Sequence, residues 1–153
     1  MSNTGLEIFD TTLHETNHWL KIMMGSLQTD DRRLAFTALR ATLHAVRDRI
    51  GPANAVHLGA QLPMLLRGAF YEGWRLAGTP THERHVEDFL FHIDGNLPPN
   101  SHIDAETAAR ASFCAMTECL DGGEVAKVIQ LLPSEIRWLW PISANEIELA
   151  LPL

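Results

Sequence analysis

Residues 14–18 of this 153-residue chain read His-Glu-Thr-Asn-His, a literal H-E-x-x-H. On a helix that spacing puts two imidazoles one turn apart, where they can share a zinc ion while the glutamate addresses a metal-bound water. Hydrolysis by such a device also needs a third ligand from elsewhere and a cleft around the metal, and the spacing supplies neither. The chain holds eight histidines and eleven glutamates, a composition that yields the pattern by chance in about 3% of shuffled sequences. A metal-dependent hydrolase using His14, Glu15 and His18 is therefore the alternative reading, and a solvated helix face the leading one.

Arginines offer a second chemistry, because a guanidinium can clamp a carboxylate or phosphate bidentately. Arg40 and Arg110 stand 70 positions apart, as do Arg67 and Arg137, the latter two each one turn after a Leu-Pro pair. Beside a helix break an arginine can instead bond to the carbonyls that end the preceding helix, and a duplicated structure would duplicate that task. The segment Phe70-Tyr71-Glu72-Gly73-Trp74 gathers aromatics with a polar handle near Arg67, which makes Arg67, Tyr71 and Trp74 the candidate ligand or interaction surface. His82, His85 and His92 form a looser group. His82 and His92 fall about 80° off register on a helix, so that helix alone does not build a three-histidine site. Cys114 and Cys119 would point about 140° apart on a helix and read as small hydrophobes. Gly-rich phosphate loops, a G-x-S-x-G elbow and paired C-x-x-C are absent from the sequence, and we expect neither a catalytic residue nor a cofactor.

The elements that must carry these residues are helical. From Leu6, the residues Leu6, Phe9, Leu13, Leu20, Met24 and Leu27 recur at spacings of three, four or seven, with Thr16 filling the gap. They cluster within about 60° of a helical wheel, with His14 and His18 roughly 120° and 160° from the centre. This predicts buried Leu13, Leu20 and Met24 and exposed imidazoles.

The strongest organising signal is internal. Residues 34–70 laid over residues 104–140 give nine identities without a gap, where composition predicts about two or three. The identical pairs are Ala35/Ala105, Thr37/Thr107, Ala38/Ala108, Arg40/Arg110, Ala41/Ala111, Ala45/Ala115, Leu62/Leu132, Pro63/Pro133 and Arg67/Arg137. Conservative pairs such as Leu43/Phe113 and Val46/Met116 share the same helical face, so the repeat preserves core positions. In the first unit a long helix should end at Gly51-Pro52, a short one run through Gln61, and Pro63 restart the chain in the first turn of a helix through about Tyr71. In the second, Asp121-Gly-Gly-Glu124 reads as a capping box and Leu132-Pro133 as the matching break. Val86, Phe89, Leu90 and Ile93 mark one more amphipathic helix, and no stretch alternates at period two. A capping-box pattern at Ser143 and Glu146, followed by an apolar run, closes the chain.

The segments TALRATLHAVRDRI (37–50), HLGAQLPMLLRGAFYEGW (57–74) and IQLLPSEIRWLWP (129–141) make the chain similar to the bacterial domain-of-unknown-function family 2267, over about residues 6–141. The resemblance implies a small helical cytoplasmic protein, brings no reaction, substrate or cofactor, and does not rest on H-E-x-x-H.

These readings converge on an all-α chain. We expect one domain over residues 1–153, with seven or eight helices in two tandem similar units, about 6–74 and 80–141, and a tail at 142–153. The net charge of −7 argues against broad nucleic-acid contact. No signal-like leader or 18-residue apolar run suggests export or membrane insertion, and two cysteines suit a reducing cytoplasm. The expected function is a non-catalytic module that binds a protein or small molecule, with a homo-oligomer left open.

Overall fold

Two aspartates set where the long helices begin. Asp31 accepts a hydrogen bond from the Leu34 N–H, and Asp104 one from the Thr107 N–H, each satisfying a first-turn donor that the helix itself cannot pair. The computed structural model describes residues 2–141 and contains no strand among them. Its helices are α1 (Glu7–Leu27), α2 (Arg32–Ile50), α3 (Pro52–Ala60), α4 (Met64–Tyr71), α5 (Val86–Asp94), α6 (Ala105–Cys119), α7 (Gly122–Leu131) and α8 (Ser134–Arg137). The protein is an all-α bundle.

Helix breaks follow from backbone chemistry. At Gly51 φ is +89°, a conformation costly for any residue with a Cβ, and Pro52 then opens α3 where its missing N–H has no intrahelical role. Pro63 and Pro133 have nearly the same backbone angles, φ −54° and ψ 147° against φ −57° and ψ 151°. Both are N-caps, one place before the first-turn position the sequence suggested; an N-cap N–H also lacks an intrahelical partner, so the physical reason carries over. Leu62 and Leu132 just ahead of them are buried, and each such burial stabilises the fold by about 1.5–3 kcal/mol.

At the repeat's offset, α2, α3 and α4 recur as α6, α7 and α8. Leu43/Phe113, Val46/Met116, Ala38/Ala108, Ala45/Ala115 and Leu66/Ile136 are fully buried pairs. Even a buried hydroxyl is duplicated: Thr42 donates to the Ala38 carbonyl and Ser112 to that of Ala108. Helix α1 packs on α6 and α2, and α2 also packs on α6, α5 and α4. The continuous core draws on both units, and Phe113 stacks on Trp140 at 4.2 Å between centroids.

Two local expectations are corrected. Glu124 closes no capping box, for Asp121 makes no side-chain cap bond; Glu124 turns inward, and its carboxylate meets the His57 Nε2 at 3.1 Å. In α1 the buried residues are Thr12, Thr16, Trp19, Leu20, Met23 and Leu27. That face is centred about 60° from the apolar stripe, because α4 and α6 meet the helix off the stripe's axis. Leu20 is buried as expected, Met24 is half-buried, and Leu13 is 40% exposed. The Ser143/Glu146 signal lies outside the described residues.

Candidate functional site

The duplicated arginines close the Leu-Pro breaks. Arg67 donates through Nε to the Gly59 carbonyl at 2.8 Å and through Nη2 to that of Leu62 at 2.9 Å, with Ala60 at 3.3 Å. Arg137 likewise donates to Leu132 at 3.0 Å and Gln130 at 3.1 Å. These carbonyls lie at or just past the ends of α3 and α7; that of Gly59 also accepts the Leu62 N–H at 3.1 Å, and the guanidiniums supply donors at the proline breaks, where the helical ladder stops.

Tyr71 and Trp74 stack at 5.6 Å, and the Tyr71 hydroxyl donates to the Val56 carbonyl at 3.3 Å. Its ring fills the space beside Gly59, where an added Cβ would collide with the phenol. The equivalent of Gly59 in the second unit is Ile129, fully buried, and the equivalent of Tyr71 is Pro141, so the glycine–tyrosine pairing belongs to the first unit alone. Trp74 carries the Arg47 guanidinium 5.9 Å from its ring centroid, and its buried indole N–H has no partner among the described residues.

A row along α2 fastens the end of α4. Arg40 pairs with Glu72 at 2.8 Å, His44 donates from Nε2 to the Ala69 carbonyl at 2.7 Å, and Arg47 donates to the carbonyls of Phe70 and Glu72. Burial, with Arg47 and Arg40 adding to it, holds the His44 imidazole below its ordinary pKa, so it is neutral near pH 7 and fit to donate one N–H. Cys114, Thr117 and Glu118 occupy the places of His44, Arg47 and Asp48 in α6. Of that row the second unit keeps only Arg110, which donates to the Trp138 carbonyl at 3.2 Å, and α8 runs for four residues where α4 runs for eight.

The histidines are dispersed. His14 and His18 are exposed on α1, and no group of three His, Cys, Asp or Glu side chains that could hold a metal forms among the described residues. His82 is exposed, and His85 meets Glu135 at 3.0 Å. His92 lies between Glu83 at 3.1 Å and Asp48 at 3.5 Å. The bond to Asp48 raises its pKa against the cost of burial, and Glu83 raises it further. Burial pushes Asp48 upward, but the bonds from His92 and Arg47 outweigh it and hold the carboxyl below its usual range. Cys119 is pushed up to about 12 by burial, which leaves it a protonated, unreactive thiol near neutral pH.

What sequence patterning missed is an exposed apolar face where α4 lies along α1. The Leu65 N–H donates to Thr12 Oγ1 at 2.8 Å, tying the start of α4 to α1. Beside that tie, Phe9 and Leu13 stay exposed along α1 and Leu65 on α4, while Leu6, just ahead of α1, gathers with Ile8 and Met64 around a separate depression that Glu7 and Glu15 also line. Leu13, Thr16 and Leu20 of α1, Phe36 of α2, and Leu65 and Gly68 of α4 line a groove of about 390 Å³. A Cβ on Gly68 would meet nothing within 4 Å, and the Thr16 hydroxyl is buried with no hydrogen-bond partner among the described residues. Before Lys21, α1 carries Glu7, Asp10 and Glu15 and no lysine or arginine. Bonds from Ser2 and Thr4 hold Asp10 below the usual carboxylate range, hence ionised. At the other end Arg32 bonds to Asn17 and Arg40 to Glu72. The clue in the sequence was Met64-Leu65-Leu66, three consecutive apolar residues on a short helix that can bury only one face.

A family model described as an uncharacterized conserved protein (DUF2267) matches residues 16–141, which leaves His14 and Glu15 outside the match. No curated protein matches the chain.

Proposed function

The chain belongs to the DUF2267 family, whose description assigns no activity, and from that premise we propose that it is a non-catalytic module that binds another protein through the α1/α4 face. One observation carries this reading: Leu13 on α1 and Leu65 on α4 remain exposed and, with Leu20 and Phe36, line one groove, while Phe9 continues the exposed stripe one turn earlier on α1. Water-facing apolar residues that adjoin one another mark interaction surfaces, unlike the scattered Val56, Leu76 and Phe91. Arg67, Tyr71 and Trp74 enter the proposal as the support of α4, since Arg67 spends its donors on carbonyls, Tyr71 bonds to Val56 of α3 and Trp74 stacks on Tyr71.

No helix among the described residues is long and apolar enough to cross a membrane. We assign the protein to the cytoplasm on its two unpaired cysteines, Cys114 and Cys119.

Capture from native lysate tests the reading by comparison. Proteins retained by the wild type should be lost with Leu13→Asp/Leu65→Asp and kept with Phe91→Asp, a control on an exposed residue elsewhere. Equal retention by all three baits would overturn it.

A further inference from the structure

The connection from α4 to α5, residues 72–85, is tied to the end of α2 by side chains that titrate. We propose that His92 is a pH-operated latch: as the imidazolium it fastens this connection to α2, and on losing its proton it lets the connection swing open.

Geometry carries the proposal. His92 Nδ1 lies 3.1 Å from Glu83 Oε1, and Nε2 lies 3.5 Å from Asp48 Oδ2. Carboxylate oxygens accept and cannot donate, so both ring nitrogens suit their neighbours only when each carries a hydrogen, as in the cation. A neutral ring donates from one nitrogen and turns a lone pair toward the other carboxylate. Asp48 withstands that, because it sits in α2 and keeps the Arg47 guanidinium, 2.8 Å away at Nε and 3.3 Å at Nη2. Glu83 does not. Its Oε1 bonds to His92, its Oε2 is buried without a partner among the described residues, and its side chain is 13% exposed. An enclosed carboxylate is costly once its cation is gone, and Glu83 stands outside any helix, where the chain can carry it to water. Two bonds that do not titrate then hold the connection, from the Thr81 N–H to the Asp48 carbonyl at 2.8 Å and from Arg49 Nε to the Glu83 carbonyl at 2.9 Å.

Asp48 and Glu83 are the charges that act on the ring, and both raise its pKa. Helix α5 packs on α2, α6 and α8, whose other charged groups are engaged elsewhere: Glu135 of α8 meets His85, and on α6 Arg110 pairs with Glu106 while Glu118 accepts from Cys114. Glu87, Asp88 and Asp94 of α5 itself are exposed. The latch also stands apart from the duplicated scaffold. At the repeat's offset Arg47, Asp48 and His92 lie opposite Thr117, Glu118 and Ile22, so the matching place in the other unit has neither imidazole nor guanidinium. Arg47 keeps its bonds to the Phe70 and Glu72 carbonyls at either pH, which confines the opening to the connection and leaves α4 in place.

Opening releases a proton from a ring whose pKa is raised in the closed state. It is therefore indifferent to pH below the ordinary 6.5, grows easier by up to about tenfold per pH unit above it, and levels off once pH passes the raised value. The test is hydrogen exchange on the full-length chain from pH 6 to pH 9, each amide's rate being divided by that of an unstructured peptide at the same pH. Protection of the Thr81 amide should fall by about threefold or more over this range, while amides of α4 and α6 keep theirs. His92→Gln, which takes up no proton, should hold Thr81 at the wild type's pH 9 protection throughout. Glu83→Gln should retain protection at pH 9, because a neutral carboxamide can donate to the ring's lone pair. Wild-type Thr81 protection that does not change with pH overturns the proposal, as does an equal fall in Glu83→Gln or a fall shared by α6.

Discussion

At the scale of single residues, the proline breaks show how far sequence logic reaches. A proline that restarts a helix frees the carbonyls behind it, and an arginine one turn later is long enough to return to them; the duplication of both residues made the pairing of Arg67 and Arg137 with those carbonyls readable beforehand. Replacing Arg67 by alanine should lower stability by about 1–3 kcal/mol, since the Gly59 and Leu62 carbonyls would lose a charged donor. A smaller loss with Arg67→Lys, measured by chemical denaturation, would reflect one donor position where three bonds had been. His92 was not legible in this way. Its partners Asp48 and Glu83 come from α2 and from the loop before α5, and only packing brings them together. Its folded pKa lies above the ordinary 6.5, so its stabilising contribution is complete below pH 6.5 and disappears as pH rises through the raised value. The melting temperature of the wild type should therefore exceed that of His92→Gln at pH 5.5 and converge toward it in alkaline buffer. A gap that widens with pH would contradict the pairing.

At the scale of elements, helix existence and boundaries were largely readable, while the buried face of α1 was not. Capping aspartates, Gly51-Pro52 and the two Leu-Pro pairs are local signals, and local chemistry suffices to end or begin a helix. Which side of α1 is covered depends on where α4 and α6 arrive, and no spacing within α1 encodes that. Hence Thr12 was not recognised as structural, although it is buried and accepts the Leu65 N–H at the start of α4, a helix whose own N-cap is a proline and offers no side-chain acceptor. Thr12→Val keeps the shape and removes the acceptor, so it should cost about 1 kcal/mol. Hydrogen exchange at the Leu65 amide should speed up in that variant while the amides of α6 keep their protection; an unchanged Leu65 rate would show that the bond does not hold α4.

At the scale of the whole molecule, the repeat was the most informative feature, because duplicated core positions survive divergence where surface positions do not. Its two units contribute to one continuous core, with α2 on α6 and Phe113 on both Phe89 and Trp140. We therefore expect residues 1–153 to unfold as one domain, in a single transition that far-UV circular dichroism and tryptophan fluorescence report at the same midpoint. Two separated midpoints would mean that the units are independent. The binding face was hidden from the sequence for the complementary reason: Leu6, Phe9 and Leu13 have the spacing of core residues, and only the fold reveals that nothing among the described residues covers them. Site-specific photo-crosslinking is the test, with a benzophenone amino acid at position 65 and, as a control, at the more accessible position 91, irradiated in native lysate. The account predicts a discrete protein adduct from position 65 that disappears with Leu13→Asp and is absent from position 91; no adduct from position 65, or the same adducts from both positions, would contradict it.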